Sequence, residues 1–139
     1  ILFADPPAEI PAAMDEYLKA LRPMPSPYLK EGKLSTAAER GKAIFHQEQT
    51  GCARCHPGPL FTDLRSHDVG TRNDNDRATD RFDTPTLVEL WRTAPYLHAG
   101  AAPTLREVLT TANPEDRHGR TSHLSQQELD DLVEYLLSL

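Results

Sequence analysis

The chain has 139 residues, of which 38% are hydrophobic and 6% aromatic, a composition that suits one domain with a modest core. A formal charge of −6, from 21 acidic and 15 basic residues with the arginines scattered, argues against nucleic-acid binding. No stretch approaches the roughly 20 apolar residues that a bilayer-spanning helix needs.

The chain opens Ile1-Leu2-Phe3 without methionine and is read as a processed or excised piece of a longer precursor. Residues 1–31 are a proline-rich linker (Pro6, Pro7, Pro11, Pro23, Pro25, Pro27) with one helix predicted from Ala12 to Leu21. Ile10, Met14, Tyr17, Leu18 and Leu21 share a face of that helix, as expected for packing on a neighbouring domain. This segment is taken as the tail of a larger protein, and residues 32–139 as the functional domain. An extended run from Pro23 to Tyr28 leads into it. The next helix is predicted over about 36–47: Ser35 and Thr36 offer caps, Thr36-x-x-Glu39 forms a capping box, and Ala37, Ala38, Gly41, Ile44 and Phe45 follow at helical spacing.

Gly51-Cys52-Ala53-Arg54-Cys55-His56 contains the only two cysteines, too close together to staple a fold. C-x-x-C-H is the attachment signature of a c-type haem: two thiols one helical turn apart add to the haem vinyl groups, and the following histidine lies beneath the iron. Cys52, Cys55 and His56 are thus the covalent anchors and the proximal ligand of one haem c. A thioredoxin-type redox pair would need a preceding strand, and a zinc site would need further ligands at knuckle spacing. The sequence offers neither.

Residues 57–83 read as a polar loop. Its Asn73-Asp74-Asn75-Asp76 stretch lacks the glycine and the twelfth-position glutamate of a calcium loop. A short helix is predicted from Thr86 to Arg92. Trp91 is a candidate for the haem pocket or the core, and Arg92 for a propionate contact. Thr104-Leu105-Arg106-Glu107 starts another short helix, and Ser125-Gln126-Gln127-Glu128 starts the last, with Leu129, Leu132, Val133, Leu136 and Leu137 as its apolar stripe. Gly41, Phe45 and Tyr135 point to a close crossing of the 36–47 and last helices. The fold reads as all-α.

Gly41 to Phe45, Cys52 to His56, Pro57 to Asp63 with His67 and Gly70, Thr84-Pro85-Thr86-Leu87 and Ala94-Pro95-Tyr96-Leu97-His98-Ala99-Gly100 follow one another in an order that resembles the C-terminal, electron-transfer domain of bacterial di-haem cytochrome c peroxidases. The resemblance runs from about Leu34 to Leu139. It implies a class I cytochrome c-like helical fold around a covalently bound haem, a periplasmic or cell-surface location, and a haem that relays electrons. It also implies that His98 supports the pocket or the haem propionates and that His67 is pocket wall. That family caps the haem with methionine or tyrosine in the interval before the last helix, whereas Leu109 to Leu124 has neither. His118, in that interval and before a glycine, is therefore the expected sixth ligand. His123, His98, Met24 or no ligand at all are the alternatives. His46 is expected to face solvent.

The leading functional expectation is a single-haem c-type cytochrome domain that transfers electrons to a redox protein or an adjacent domain of its parent oxidoreductase. The alternative is a peroxide-reducing haem enzyme with an open or displaceable sixth site, with His98, His118 or His123 as base and Arg117 or Arg120 polarising the O–O bond.

Overall fold

A computed structural model describes residue 5 and residues 7–139; the Ile1-Leu2-Phe3 opening, Ala4 and Pro6 lie outside them. Helix α1 runs Glu9–Ala20, three residues earlier than the spacing predicts, because Pro11 is tolerated in a first turn where its missing N–H has no intrahelical partner. Its apolar face is uncovered: Ile10, Met14, Tyr17, Leu18 and Leu21 are all exposed. Two hydrogen bonds then tie the 24–28 segment to the rest of the domain. The Met24 N–H donates to the Glu89 carboxylate, and buried Ser26 donates Oγ–H to the Leu137 carbonyl at 2.6 Å.

Helix α2 is Thr36–Phe45. Ser35 alone caps it, accepting from the Ala38 N–H at 3.1 Å, so Glu39 falls one position too late to close a box with the cap and the expected Thr36 box does not form. Helix α5, Gln126–Leu137, carries the predicted Ser125/Glu128 box intact. It packs along α2, and the glycine at the crossing is obligatory: a Cβ on Gly41 would stand 1.9 Å from the Asp131 carbonyl oxygen. Phe45 meets Tyr135 edge to face at 5.4 Å between ring centres. These residues, with Ile44, Leu129, Leu132 and Leu136, form one side of a single core completed by Leu87, Leu90, Tyr96, Ala102, Leu105, Val108, Leu109 and Leu124.

Arg40 spans the same crossing, donating Nε–H and NH2 to the two carboxylate oxygens of Asp131 at 2.6 Å each. Asp131 is 3% exposed, and the Arg40 hydrogen bonds hold its carboxyl below the usual range. A depressed folded-state value means the pair contributes fully above about pH 4, the unfolded value, and loses its contribution as pH falls through the lower one. Acid unfolding of the wild type should therefore begin at higher pH relative to neutral stability than in Asp131→Asn, whose stability curve should flatten on the acid side. A parallel pH dependence in both proteins would contradict this role.

Helix α3 is the single turn Cys52–Cys55. The polar loop after it contains a two-residue antiparallel ladder, β1 (Ser66–His67) against β2 (Phe82–Asp83), which sequence alternation is too short to reveal. The predicted Thr86–Arg92 helix is only a 3-10 turn, Leu90–Arg92: Glu89 takes φ +61° and gives its N–H to the Leu139 carbonyl, which closes off a regular helix through it. Helix α4, Leu105–Leu109, has the expected Thr104/Glu107 box. The architecture is thus mostly helical, with α2 and α5 as a crossed pair, and α3, α4 and the irregular segments arranged around a cavity beside it. Among the described residues no helix is long and apolar enough to cross a membrane.

Candidate haem centre

The cavity is about 550 Å³ and its wall is mostly apolar, with Phe45, Leu105, Val108, Leu109, Leu132 and Leu136 contributed by α2, α4 and α5. Cys52, Cys55 and His56 line one side, because Gly51 turns in the left-handed region (φ +73°) and starts α3 at the cavity edge. Buried Thr50 fixes that start by donating Oγ–H to the Ile44 carbonyl at 2.6 Å, joining the end of α2 to α3.

His56 is buried, and its Nδ1–H donates to the Phe61 carbonyl at 2.9 Å. That bond sets the tautomer and leaves Nε2 as the lone-pair nitrogen. Burial lowers the pKa of His56, against the opposing pull of the Phe61 carbonyl and Asp63, so the ring is neutral near pH 7. Across the cavity stands His118, whose Nδ1 is buried without a hydrogen-bond partner. Burial and then the neighbouring His56 push its pKa down to about 4. The two ring centres are 6.3 Å apart and tilted by 43°. Metal–imidazole bonds of about 2.0 Å on opposite sides of one ion put the ring centres about 6 Å apart. Two neutral, facing imidazoles beside two thiols in a large apolar cavity fit a covalently held haem.

The Cys thiols are free, and burial raises the pKa of each. Cys55, Asp63 and His67 cluster, yet Asp63 is already engaged by His67 Nε2 at 2.8 Å. Partial desolvation works to raise the Asp63 pKa, but bonds from His67 and Thr84 bring it to about 2. His67 thus serves as cavity wall tied to a carboxylate.

His98 also lines the cavity; its ring stacks on Phe82 at 3.6 Å between centres, and Nε2 pairs with Asp76 at 2.8 Å. This bond engages Asp76 of the Asn73–Asp76 stretch, whose Asn75 N–H closes on Asn73 Oδ1. Trp91 and Arg92 are not brought to the cavity wall. They sit in the 3-10 turn: Arg92 is taken by Glu89, three residues back, and lies near the Trp91 ring at 5.9 Å from its centre. The arginine that does reach the wall is Arg117, paired with Asp68 at 2.6 Å, and Asp68 is shared with Arg72 at 2.7 Å. His123 and His46 are exposed, and Met24 lies outside the lining. Arg117, Thr71 and Phe82 carry no local signature; tertiary folding alone brings them there.

Residues 82–119 match the RoxA-like, cytochrome c-like family. The chain is 37% identical, over 88% of its length, to hydrazine synthase subunit gamma of Kuenenia stuttgartiensis, of which it covers 47%. A solved structure of the hydrazine synthase of that organism, pressurised with xenon, superposes with a TM-score of 0.78 at 36% identity over 88% of this chain and 52% of that one. The methylamine utilization protein MauG of Methylorubrum extorquens is 31% identical over 78% of this chain and 36% of its own. The chain therefore spans about half, or less, of the length of these relatives. A helical cavity with C-x-x-C-H on its wall, the family match and these homologues agree: the chain contains a RoxA-like cytochrome c domain, with hydrazine synthase gamma, MauG and cytochrome c peroxidases among its homologues.

Proposed function

We propose that residues 32–139 are a c-type cytochrome domain that passes single electrons through one covalently attached haem, as a module of a larger periplasmic or secreted oxidoreductase. The observation that carries this reading is the His56/His118 pair, 6.3 Å between ring centres across a cavity that also exposes Cys52 and Cys55. A haem c bound there supplies one-electron chemistry by change of iron oxidation state. The single C-x-x-C-H supports one haem per chain.

Each residue then has a defined task. Cys52 and Cys55 tether the group. His56 and His118 would hold the iron, both as neutral imidazoles, and the Phe61 carbonyl fixes the orientation of the His56 ring. Two imidazoles favour the ferric form more than a His/Met pair does, which places the potential lower. The apolar wall excludes water. Thr71, His98 and Arg117 give it a polar edge suited to the haem carboxylates, the task first expected of Arg92. The −6 charge favours a basic redox partner or adjacent domain at low salt.

The haem-loaded protein should give a pyridine haemochrome of c type with one haem per chain. Cys52→Ser combined with Cys55→Ser should release all haem into acidified butanone, a complete loss of the covalent fraction. Retention of acid-stable haem in that double variant, or a stoichiometry of two, would overturn the reading.

A further inference from the structure

A histidine that binds a metal is ordinarily oriented through its second ring nitrogen, as Phe61 does for His56. Among the described residues His118 has no such partner: neither ring nitrogen makes a hydrogen bond, and Nδ1 is buried. Its position has to be set through the main chain. Among the described residues, both the N–H and the C=O of His118 find their partner in one side chain, Asn113. The His118 N–H donates to Asn113 Oδ1 at 2.8 Å, and Asn113 Nδ2 reaches the His118 carbonyl at 3.4 Å and the Gly119 carbonyl at 2.9 Å.

The grip is anchored behind. Asn113 is 5% exposed, and its Nδ2 also donates to Thr121 Oγ1 at 3.2 Å, whose own hydroxyl donates to the Leu109 carbonyl at the end of α4 at 2.6 Å. Asp116 Oδ1 closes the same loop by accepting from the Thr121 N–H at 2.9 Å. On the far side the Arg120 N–H donates to the Thr50 carbonyl at 2.9 Å, and Gly119, at φ +80°, abuts Thr50 and Cys52 so closely that a Cβ would lie 3.2 Å from the Thr50 oxygen. The loop is thus held between α4 and the start of the haem-attachment turn, with Asn113 gripping the histidine's own peptide units.

We propose that Asn113 is a positioning residue that keeps His118 on the iron, replacing at the main chain the hold that the imidazole ring lacks. The inference rests on the reading that His118 is the second histidine to hold the iron. Loss of the amide frees the 114–120 segment to swing, so His118 leaves the iron more often while the fold persists. An added ligand that binds only after His118 has left reads that opening directly.

The test is cyanide binding to the ferric haem-loaded protein, with its optical spectrum, in wild type, Asn113→Ala, Asn113→Asp, Asp131→Asn and His118→Ala. Asn113→Ala is expected to bind cyanide about 10- to 100-fold faster than wild type and to gain a high-spin fraction. Asn113→Asp keeps an acceptor for the His118 N–H and should fall between the two. Asp131→Asn weakens the α2–α5 pair away from this loop and should bind at the wild-type rate, which separates positioning from general loosening. Should Asn113→Ala fail to fold, Asn113→Asp decides alone. Wild-type rates and spectra in both Asn113 variants would overturn the proposal while leaving His118 as ligand. A wild-type spectrum unchanged by His118→Ala would overturn this proposal and the ligation reading together.

Discussion

Gly41→Ala is expected to destabilise the protein by at least about 3 kcal/mol, a large share of the about 5–15 kcal/mol that holds a domain folded. The added methyl would meet the Asp131 carbonyl carbon at 2.5 Å as well as its oxygen at 1.9 Å, and Tyr135 Cβ at 2.9 Å. The obstacle is helix backbone, which cannot rotate away as a side chain tip does, so α2 and α5 must separate. Separation weakens the Phe45–Tyr135 edge contact and the Arg40–Asp131 pair at once. The gain in helix propensity from glycine to alanine, about 1 kcal/mol, does not offset this. Because Phe45, Leu132 and Leu136 also wall the cavity, haem retention should fall with stability. Denaturant unfolding of the loaded protein checks it, and a loss below about 1 kcal/mol would mean the crossing is looser than described.

His118→Ala should have the opposite profile, with ligation lost and the fold kept. The imidazole makes no hydrogen bond through its buried nitrogen, and the loop backbone stays held by Asn113 and Asp116. Unfolding should therefore shift little. Removing a strong nitrogen donor opens one side of the iron, so the ferric protein should become high-spin, its potential should rise, and cyanide should bind faster by more than the about 10- to 100-fold that losing an outer partner causes. Peroxide turnover, absent in a capped wild type, should appear. His123→Ala, at an exposed position outside the cavity, should leave all these properties unchanged.

What the sequence made legible is mainly what is local. The Ser125 and Thr104 capping boxes, the apolar stripe of α5 and the C-x-x-C-H turn each complete themselves within a few residues, and Gly41 with Phe45 and Tyr135 marked the crossing because only a small residue permits it. The readings that changed depend on distant partners. The helix expected through Thr86 to Arg92 gives way because the Glu89 N–H bonds to the Leu139 carbonyl. Arg92 looked free for a propionate, yet Glu89 occupies it, while Arg117 reaches the cavity through a tertiary pairing with Asp68. Ser35 displaced Thr36 as cap by a shift of one residue, which composition cannot resolve. Asn113 carries no motif at all; its importance lies in four bonds that exist only after the loop has closed.

The most direct test of the account is the electron paramagnetic resonance and optical spectrum of the ferric, haem-loaded protein, recorded alongside His118→Ala. The wild type is expected to give a low-spin signal of two imidazoles that turns high-spin in the variant. A wild type already high-spin would contradict it, leaving the iron open on the His118 side and making peroxide reduction the better reading of the cavity.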